Sequence, residues 1–204
     1  MGYYIRVLGT DDRDIPLSSL QDALNAEQLR ISATVESGND RQWNQLVLAH
    51  PNGPQIVSIE RNPVVPGGLG DEELQEFLEL IQEAQPASAV RWLSNYLPTV
   101  KVIYALQILS GTEVNDGWRA VGVAHRTIWS QVGGILQSDG EGFSNEEGHH
   151  ILWQFSDDVE GPWEMALLDA DGNWAKFKMN LGDRKQRQAF LEGRIPPKAE
   201  MIPD

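Results

Sequence analysis

The sequence predicts an α+β fold, a mostly antiparallel sheet with helices packed on it, and three observations carry this prediction. Short segments such as residues 31–36 alternate apolar and polar side chains, as half-buried strands do. Residues 71–85 place apolar side chains at helical spacing and five glutamates on the opposite side. Turn-forming residues at 50–53 and 169–172 separate strand-like segments that are close in sequence, which favours antiparallel hairpins.

The first 98 residues contain four predicted strands and three predicted helices. The strands are rich in β-branched and aromatic residues and cover residues 3–8, 31–36, 43–49 and 55–60. The first helix is expected to begin at a capping box, residues 18–21, whose serine and glutamine would satisfy backbone groups at the helix start. In the second helix, residues 71–85, Phe77 faces the core, and the third helix ends before Pro98.

The second half begins with a segment, residues 100–109, that is nearly all apolar. Such a segment suits a central strand that is buried on both faces. Asn115 or Asp116 can cap the helix that follows. The side chains expected on the inner face of this helix follow helical spacing and are Trp118, Val121, His125, Ile128 and Val132.

The end of the chain is predicted to form a hairpin, a helix and a tail. Residues 163–168 and 174–179 are strands joined by a turn in which aspartate and glycine occupy favourable positions. Asp183 is placed to cap the last helix. Residues 196–204 are rich in proline and are expected to form an extended tail.

The two halves, residues 1–98 and 99–195, have similar orders of predicted elements. Within them, residues 3–85 and residues 100–192 each run strand, helix, strand, strand, strand, helix, and the letters LGD and FLE recur in both with a slip of one residue. We therefore hypothesise an internal duplication into two tandem β-α-β-β-β-α halves, which could also form a single compact domain. A strand–helix–strand–strand–helix–strand order across residues 3–109 has ferredoxin-like character, an analogy of topology that implies no activity.

Composition and charge limit the classes of function. The 204 residues include no cysteine, which excludes disulfides, thiolate metal sites and cysteine nucleophiles, and a reducing cytoplasm is the expected location. The formal net charge of −14 disfavours nonspecific binding of nucleic acid and permits a basic protein partner. Because no apolar run approaches the roughly 18 residues of a membrane span, no membrane partner is expected. The opening residues show no signal peptide pattern.

Residues 134–155 form the segment with the densest mixture of carboxylates, histidines and aromatic residues. They are expected to form two strands around a turn at residues 145–148, with Phe143 opposite Ile151. In this register Asp139 lies opposite Phe155 and Glu141 opposite Trp153, so both carboxylates share one strand face beside two large aromatic rings. The residues of this hairpin that we expect to bind a partner are Asp139, Glu141, Glu146, Glu147, His149, His150 and Trp153.

The carboxylate pair of Asp139 and Glu141 supports two interpretations. Aromatic surroundings would raise at least one carboxyl pKa, as a general acid requires, and paired carboxylates near aromatic rings occur in glycosidases. Alternatively, the charges only protect an edge strand from pairing with another chain. We favour the second interpretation, because such pairs are common in sequences.

No metal or cofactor site is predicted. His149 and His150 are adjacent, and adjacent side chains of a strand point to opposite faces, so they cannot chelate one ion from regular β structure. His125 is expected to be a core or interface histidine. The sequence contains no glycine-rich phosphate loop, no nucleophile elbow and no HExxH motif.

In its small size, acidity, lack of cysteine and lack of a catalytic motif, the chain is similar in general character to bacterial immunity proteins. This resemblance rests on composition, and it implies a cytoplasmic protein that binds another protein and catalyses nothing. The sequence therefore favours a non-catalytic binding protein with a basic partner. The alternatives are a small enzyme that uses Asp139 and Glu141, and a protein that binds a small ligand in a cleft between the two halves.

Overall fold

A computed structural model describes residues 2–203 of the chain. These residues fold into two compact units, each made of separated stretches of sequence. The first unit contains residues up to 72 and residues 100–134, and the second contains residues 73–99 and those from 135 onward. The predicted halves, by contrast, are each continuous in sequence and do not correspond to these units. The division into residues 1–98 and 99–195 therefore remains a hypothesis about repetition in the sequence.

The predicted α+β class is confirmed, with five α-helices and ten β-strands among residues 2–203. The helices are α1 (Leu17–Ala26), α2 (Leu69–Leu80), α3 (Ala87–Tyr96), α4 (Gly117–Val132) and α5 (Arg184–Leu191). The strands are β1 (Tyr4–Gly9), β2 (Ser32–Gly38), β3 (Trp43–Ala49), β4 (Gln55–Pro63), β5 (Val102–Ile108), β6 (Ile135–Ser138), β7 (Gly142–Ser144), β8 (Pro162–Leu168), β9 (Trp174–Asn180) and β10 (Glu200–Met201).

Five strands of the first unit form an antiparallel sheet in the order β2-β3-β4-β5-β1. β5 lies between β4 and β1, and its residues 102–106 are all buried. This is the arrangement predicted for the apolar segment 100–109, because a strand that is covered on both faces needs apolar side chains at successive positions. The central strand therefore fixes the core of this unit.

Helix α4 buries a stripe of small and aliphatic side chains that includes Ala120, Val121, Ile128 and Val132. The prediction that Trp118 lies on this inner face is wrong, because Trp118 is 48% exposed. Gly117 makes the close contact at the helix start, where an added Cβ would lie 2.5 Å from the carbonyl oxygen of Gly111. The inner position is thus taken by a residue without a side chain, and the tryptophan faces solvent.

The helices begin in different ways. α1 follows Pro16, whose φ of −67° suits a helix start, and no side chain caps it, so the capping box predicted at residues 18–21 is wrong. Asp116 precedes α4 as predicted, but its carboxylate makes no capping hydrogen bond. The carboxylate of Asp183 caps α5 as predicted, by accepting hydrogen bonds from the backbone N–H groups of Lys185 and Gln186.

The second unit contains the hairpin β6–β7 and a three-stranded sheet in the order β10-β9-β8. The turn predicted between β8 and β9 is confirmed, with Gly172 at a φ of +85° and the carboxylate of Asp169 accepting two backbone hydrogen bonds. β10 lies within the segment that was predicted as an extended tail. The core of this unit joins aromatic, methionine and leucine side chains: Phe155, Met165, Leu167, Phe177, Met179, Leu181 and Phe190.

Residues 30–60 and 134–180 have different strand connectivity. β2, β3 and β4 form a meander in which each strand pairs with the next. β6 pairs with β7, and β8 pairs with β9, but these two hairpins belong to different sheets. Because a duplication should repeat the connectivity, the structure gives no support to the duplication or to its ferredoxin-like character.

Candidate functional site

The turn at residues 145–148 has the geometry that the sequence predicts. The N–H of Gly148 donates to the carbonyl oxygen of Asn145 at 3.0 Å, and Gly148 has a φ of +88°, which favours glycine. The side-chain oxygen of Asn145 also accepts hydrogen bonds from the backbone N–H groups of Glu147 and His149. Beyond the turn, the N–H of Ile151 donates to the carbonyl oxygen of Phe143, so the predicted pairing of these two residues is present.

Asp139 and Glu141 do not lie on a strand face. Ser138 pairs with Gly142, so both acidic residues belong to the turn between β6 and β7. The prediction that they face Phe155 and Trp153 across a hairpin is therefore wrong. The cause is local: Gly140 and Gly142 have φ values of +74° and +93°, which turn the chain where a strand would have continued. Both acidic side chains are partly exposed, and their assignment as binding residues stays a prediction.

His149 and His150 lie in different environments. His149 is buried, and its Nδ1 has no hydrogen-bond partner among residues 2–203. The His150 ring packs edge-on against Phe155 and Trp163, with centroid distances of 5.3 and 5.1 Å. Burial, and to a smaller degree the neighbouring His149, lowers the pKa of His150 to about 4. His150 is therefore neutral at pH 7 and belongs to the aromatic packing of this unit.

Trp153 is half-buried and also takes part in this packing. Its ring lies 5.2 Å from that of Phe155, and the guanidinium of Arg187 covers it at 4.9 Å from the ring centre. Arg187 in turn donates to the Asp157 carboxylate and to the carbonyl oxygen of Leu181. A cation held over an indole face in this way stabilises the loop that carries Asp157.

The two remaining predicted binding residues, Glu146 and Glu147, have exposed side chains at the tip of the turn. The Tyr96 hydroxyl of α3 donates to the Glu146 carboxylate at 2.8 Å, and the ammonium of Lys176 on β9 donates to the Glu147 carboxylate at 2.9 Å. Burial and the hydrogen bond to Glu146 raise the pKa of Tyr96 well above its usual value. Both carboxylates are thus held in defined positions, although they face solvent.

Three half-buried aromatic residues lie beside these carboxylates, and we call them the aromatic face: Trp92, Tyr96 and Trp174. The rings of Trp92 and Tyr96 are stacked with centroids 4.6 Å apart, and Trp174 meets Trp92 edge-on at 5.1 Å. Sequence reasoning missed this group, since α3 and β9 are far apart in the chain. The sequence signal for this group was weak: Trp174 lies two positions after the turn at residues 169–172.

The acidic charge is concentrated in the second unit. This unit carries 18 acidic and 8 basic side chains, a formal charge of −10, whereas the first carries 12 and 8, a charge of −4. A division of the chain at residue 98 shares the charge more evenly, with −8 on residues 1–98 and −6 on residues 99–204. The aromatic face therefore belongs to the more acidic unit, whose field attracts cations.

Within residues 2–203, no group of three or more histidine, aspartate and glutamate side chains is arranged to hold a metal ion. No helix in the same range has both the length and the apolar composition needed to cross a bilayer. Comparison of the chain with protein-family models, with curated proteins and with solved structures finds no match.

Proposed function

We propose that this chain is a non-catalytic binding protein whose second unit docks a basic protein partner. The observation that carries the proposal is the aromatic face, Trp92, Tyr96 and Trp174, with the carboxylates of Glu146 and Glu147 beside it. Tryptophan and tyrosine supply much of the binding energy at protein interfaces, because they bury a large, rigid surface with little loss of conformational entropy.

The electrostatics of the second unit support a basic partner. Its charge of −10 attracts a cationic protein over a Debye length of about 8–10 Å and speeds the encounter. The hydrogen bond from Tyr96 already fixes Glu146, so less side-chain entropy is lost when a partner's cation binds there. In this proposal the aromatic rings supply affinity, and the acidic field supplies the association rate.

The other predicted residues have supporting roles in this proposal. His149 is buried and His150 is largely buried, and the backbone N–H of His149 donates a hydrogen bond to the side-chain oxygen of Asn145 in the turn. Asp139 and Glu141 add negative charge from the neighbouring turn of the same unit. The catalytic alternative required an aromatic pocket around this pair, and the position of both residues in a turn leaves that alternative without its supporting observation.

The proposal is tested by capturing partners from a cell lysate on the immobilised chain and on matched variants. Trp174→Ser should weaken binding by about 2 kcal/mol or more, roughly thirtyfold, as expected for an aromatic residue in an interface. Glu146→Lys should slow association and reduce its dependence on salt, because the exposed charge no longer attracts the partner. Glu36→Lys, an exposed charge reversal on β2 of the first unit, is the matched control.

The expected result is one basic protein, identified by mass spectrometry, that binds the unmodified chain and Glu36→Lys. The same protein should be lost from Trp174→Ser and Glu146→Lys, and from all baits at high salt. Circular dichroism of each variant checks that the fold is retained. Equal capture by all three variants, or capture of no basic protein at low salt, would contradict the proposal.

A further inference from the structure

A cleft of about 590 Å³ lies in the first unit, where the end of α1, the β3–β4 turn and the start of α4 meet. Its lining includes Gln28, Arg30, His50, Val114 and Asn115. The volume lies within the range of about 300–1,000 Å³ that is typical of small-molecule sites. We propose that this cleft binds a small organic carboxylate, an acid group joined to an apolar body, independently of the partner proposed for the second unit.

Hydrogen bonds and close packing fix the walls of the cleft. The Nε2–H of His50 donates to the carbonyl oxygen of Gly111 at 2.9 Å, which joins the β3–β4 turn to the segment before α4. Gly111 is packed so tightly that an added Cβ would lie 2.4 Å from the carbonyl oxygen of Gln55. Because these contacts hold the two sides of the cleft together, a ligand meets a preformed site.

Two residues that line the cleft have left-handed backbones without being glycine. The φ values are 59° for Gln28 and 33° for Asn115. Such conformations are unfavourable for residues with a side chain, and they persist where the surrounding structure enforces them. They orient polar side chains at the rim of a cleft whose shape is already fixed by the His50 contact.

One cation, Arg30, and one carboxylate, Asp116, line the cleft. No ion pair or side-chain hydrogen bond joins Arg30 to another residue among 2–203. Asp116 accepts a hydrogen bond from Arg119 at 2.8 Å, and Arg119 also forms an ion pair with Glu27 at 3.7 Å. Because Arg30 has no ion-pair partner of its own, its guanidinium can bind a carboxylate through two parallel hydrogen bonds.

The apolar part of the lining is suited to a hydrocarbon or aromatic body. Val114 is 41% exposed on the cleft wall, and Ile31, Pro51 and Pro54 add further apolar surface. Large apolar side chains exposed beside a cleft are typical of binding sites, because a ligand removes their surface from water.

The experiment is a titration followed by amide NMR spectra with three named probes: acetate, 4-phenylbutyrate and the uncharged 4-phenylbutanamide. We expect 4-phenylbutyrate to shift the amide signals of residues 28–31, 50–54 and 113–119 and to bind more tightly than either other probe. Arg30→Gln should weaken its binding roughly tenfold or more, the loss expected for a charge-assisted contact. Arg41→Gln is the control, since Arg41 lines a different cleft of the same unit.

A second variant separates the apolar contribution from the charge. Val114→Ser should reduce the advantage of 4-phenylbutyrate over acetate while leaving acetate binding unchanged. The proposal is overturned if 4-phenylbutyrate shifts no amide signals of the cleft, if the uncharged amide binds equally well, or if Arg30→Gln and Arg41→Gln bind alike. None of these outcomes depends on the aromatic face of the second unit, so this proposal and the proposed function fail or survive separately.

Discussion

The two units of this protein differ in the contacts that stabilise each of them internally. The first unit is organised by a ladder of five antiparallel strands around the buried strand β5. In the second unit, the seventeen residues 145–161 between β7 and β8 contain no strand longer than an isolated bridge. There, a few separate backbone hydrogen bonds, such as that from the Ile151 N–H to the Phe143 carbonyl oxygen, occur together with ring contacts among His150, Trp153, Phe155 and Trp163.

This difference indicates which interactions determine the backbone positions in each unit. A strand ladder specifies backbone positions through hydrogen bonds, and many side chains fit the same ladder. The irregular segment has fewer such hydrogen bonds, so ring contacts contribute more to its position, each by about 0.5–1.5 kcal/mol beyond the apolar area that it buries. We therefore expect the second unit to respond more sharply to changes in single aromatic side chains.

The largest effect is expected for Phe77→Ala in the second unit. Phe77 is 7% exposed, and its ring meets that of Phe143 edge-on with centroids 5.4 Å apart. The sequence-based prediction that Phe77 faces the core is therefore confirmed. The substitution should lower the free energy of unfolding by about 3–5 kcal/mol, through lost transfer energy and a cavity. Glu76→Ala, on the exposed side of the same helix, should change it by less than about 0.5 kcal/mol. Equal losses in urea denaturation would contradict this assignment.

The next effect concerns pH, because each unit contains one histidine whose pKa is lowered to about 4. Burial is the main cause for His125 in the first unit and for His150 in the second. Since the unfolded chain binds these protons near pH 6.5, stability should be full above pH 6.5 and should fall as the pH drops toward 4. The loss is up to about 3 kcal/mol for each histidine.

Replacement of one histidine at a time assigns this loss to a unit. His150→Phe, which retains an aromatic ring, should remove about half of the dependence on pH, and His125→Phe should remove the other half. Chemical denaturation at pH 7 and at about pH 4.5 measures both. If neither variant differs from the unmodified chain in its pH dependence, the two histidines do not resist protonation in the folded state.

The smallest effect compares helix starts in the two units. The Asp183 carboxylate caps α5 of the second unit, whereas α1 of the first unit has no side-chain cap. Asp183→Ala should therefore lower the free energy of unfolding by about 1 kcal/mol. Ser18→Ala, in the first turn of α1, should change it by less than about 0.5 kcal/mol. A larger loss from Ser18→Ala would show that the capping box predicted at residues 18–21 forms in solution.

Local sequence signals predicted elements better than they predicted the site. The burial of β5, the exposed side of α2, the cap at Asp183 and the turn at residues 145–148 follow from patterns within a few residues. The strand face assumed for Asp139 and Glu141 failed because glycines at 140 and 142 suit either a strand in close contact or a turn. A single sequence does not distinguish these cases.

The aromatic face and the cleft could not be predicted, because both depend on contacts between distant parts of the chain. Trp92 and Trp174 are separated by 81 intervening residues, and the cleft joins three segments of the first unit. Helical spacing also placed Trp118 inside, since hydrophobic patterns favour the larger apolar side chain. The close approach of Gly117 to Gly111, which reverses that assignment, leaves no signal in the pattern.

The central position of β5 determines how this protein could be divided into fragments. A fragment that ends at residue 98 contains β1 and β4 but not β5, which pairs with both of them. Such a truncated chain would leave β1 and one side of β4 without their partner strand, and exposed strand edges promote aggregation. The complementary peptide, from residue 99 onward, carries β5 and could restore the sheet when the two fragments are mixed. If each fragment were fused to one part of a divided reporter protein, the reporter would give a signal only after the fragments had reassembled.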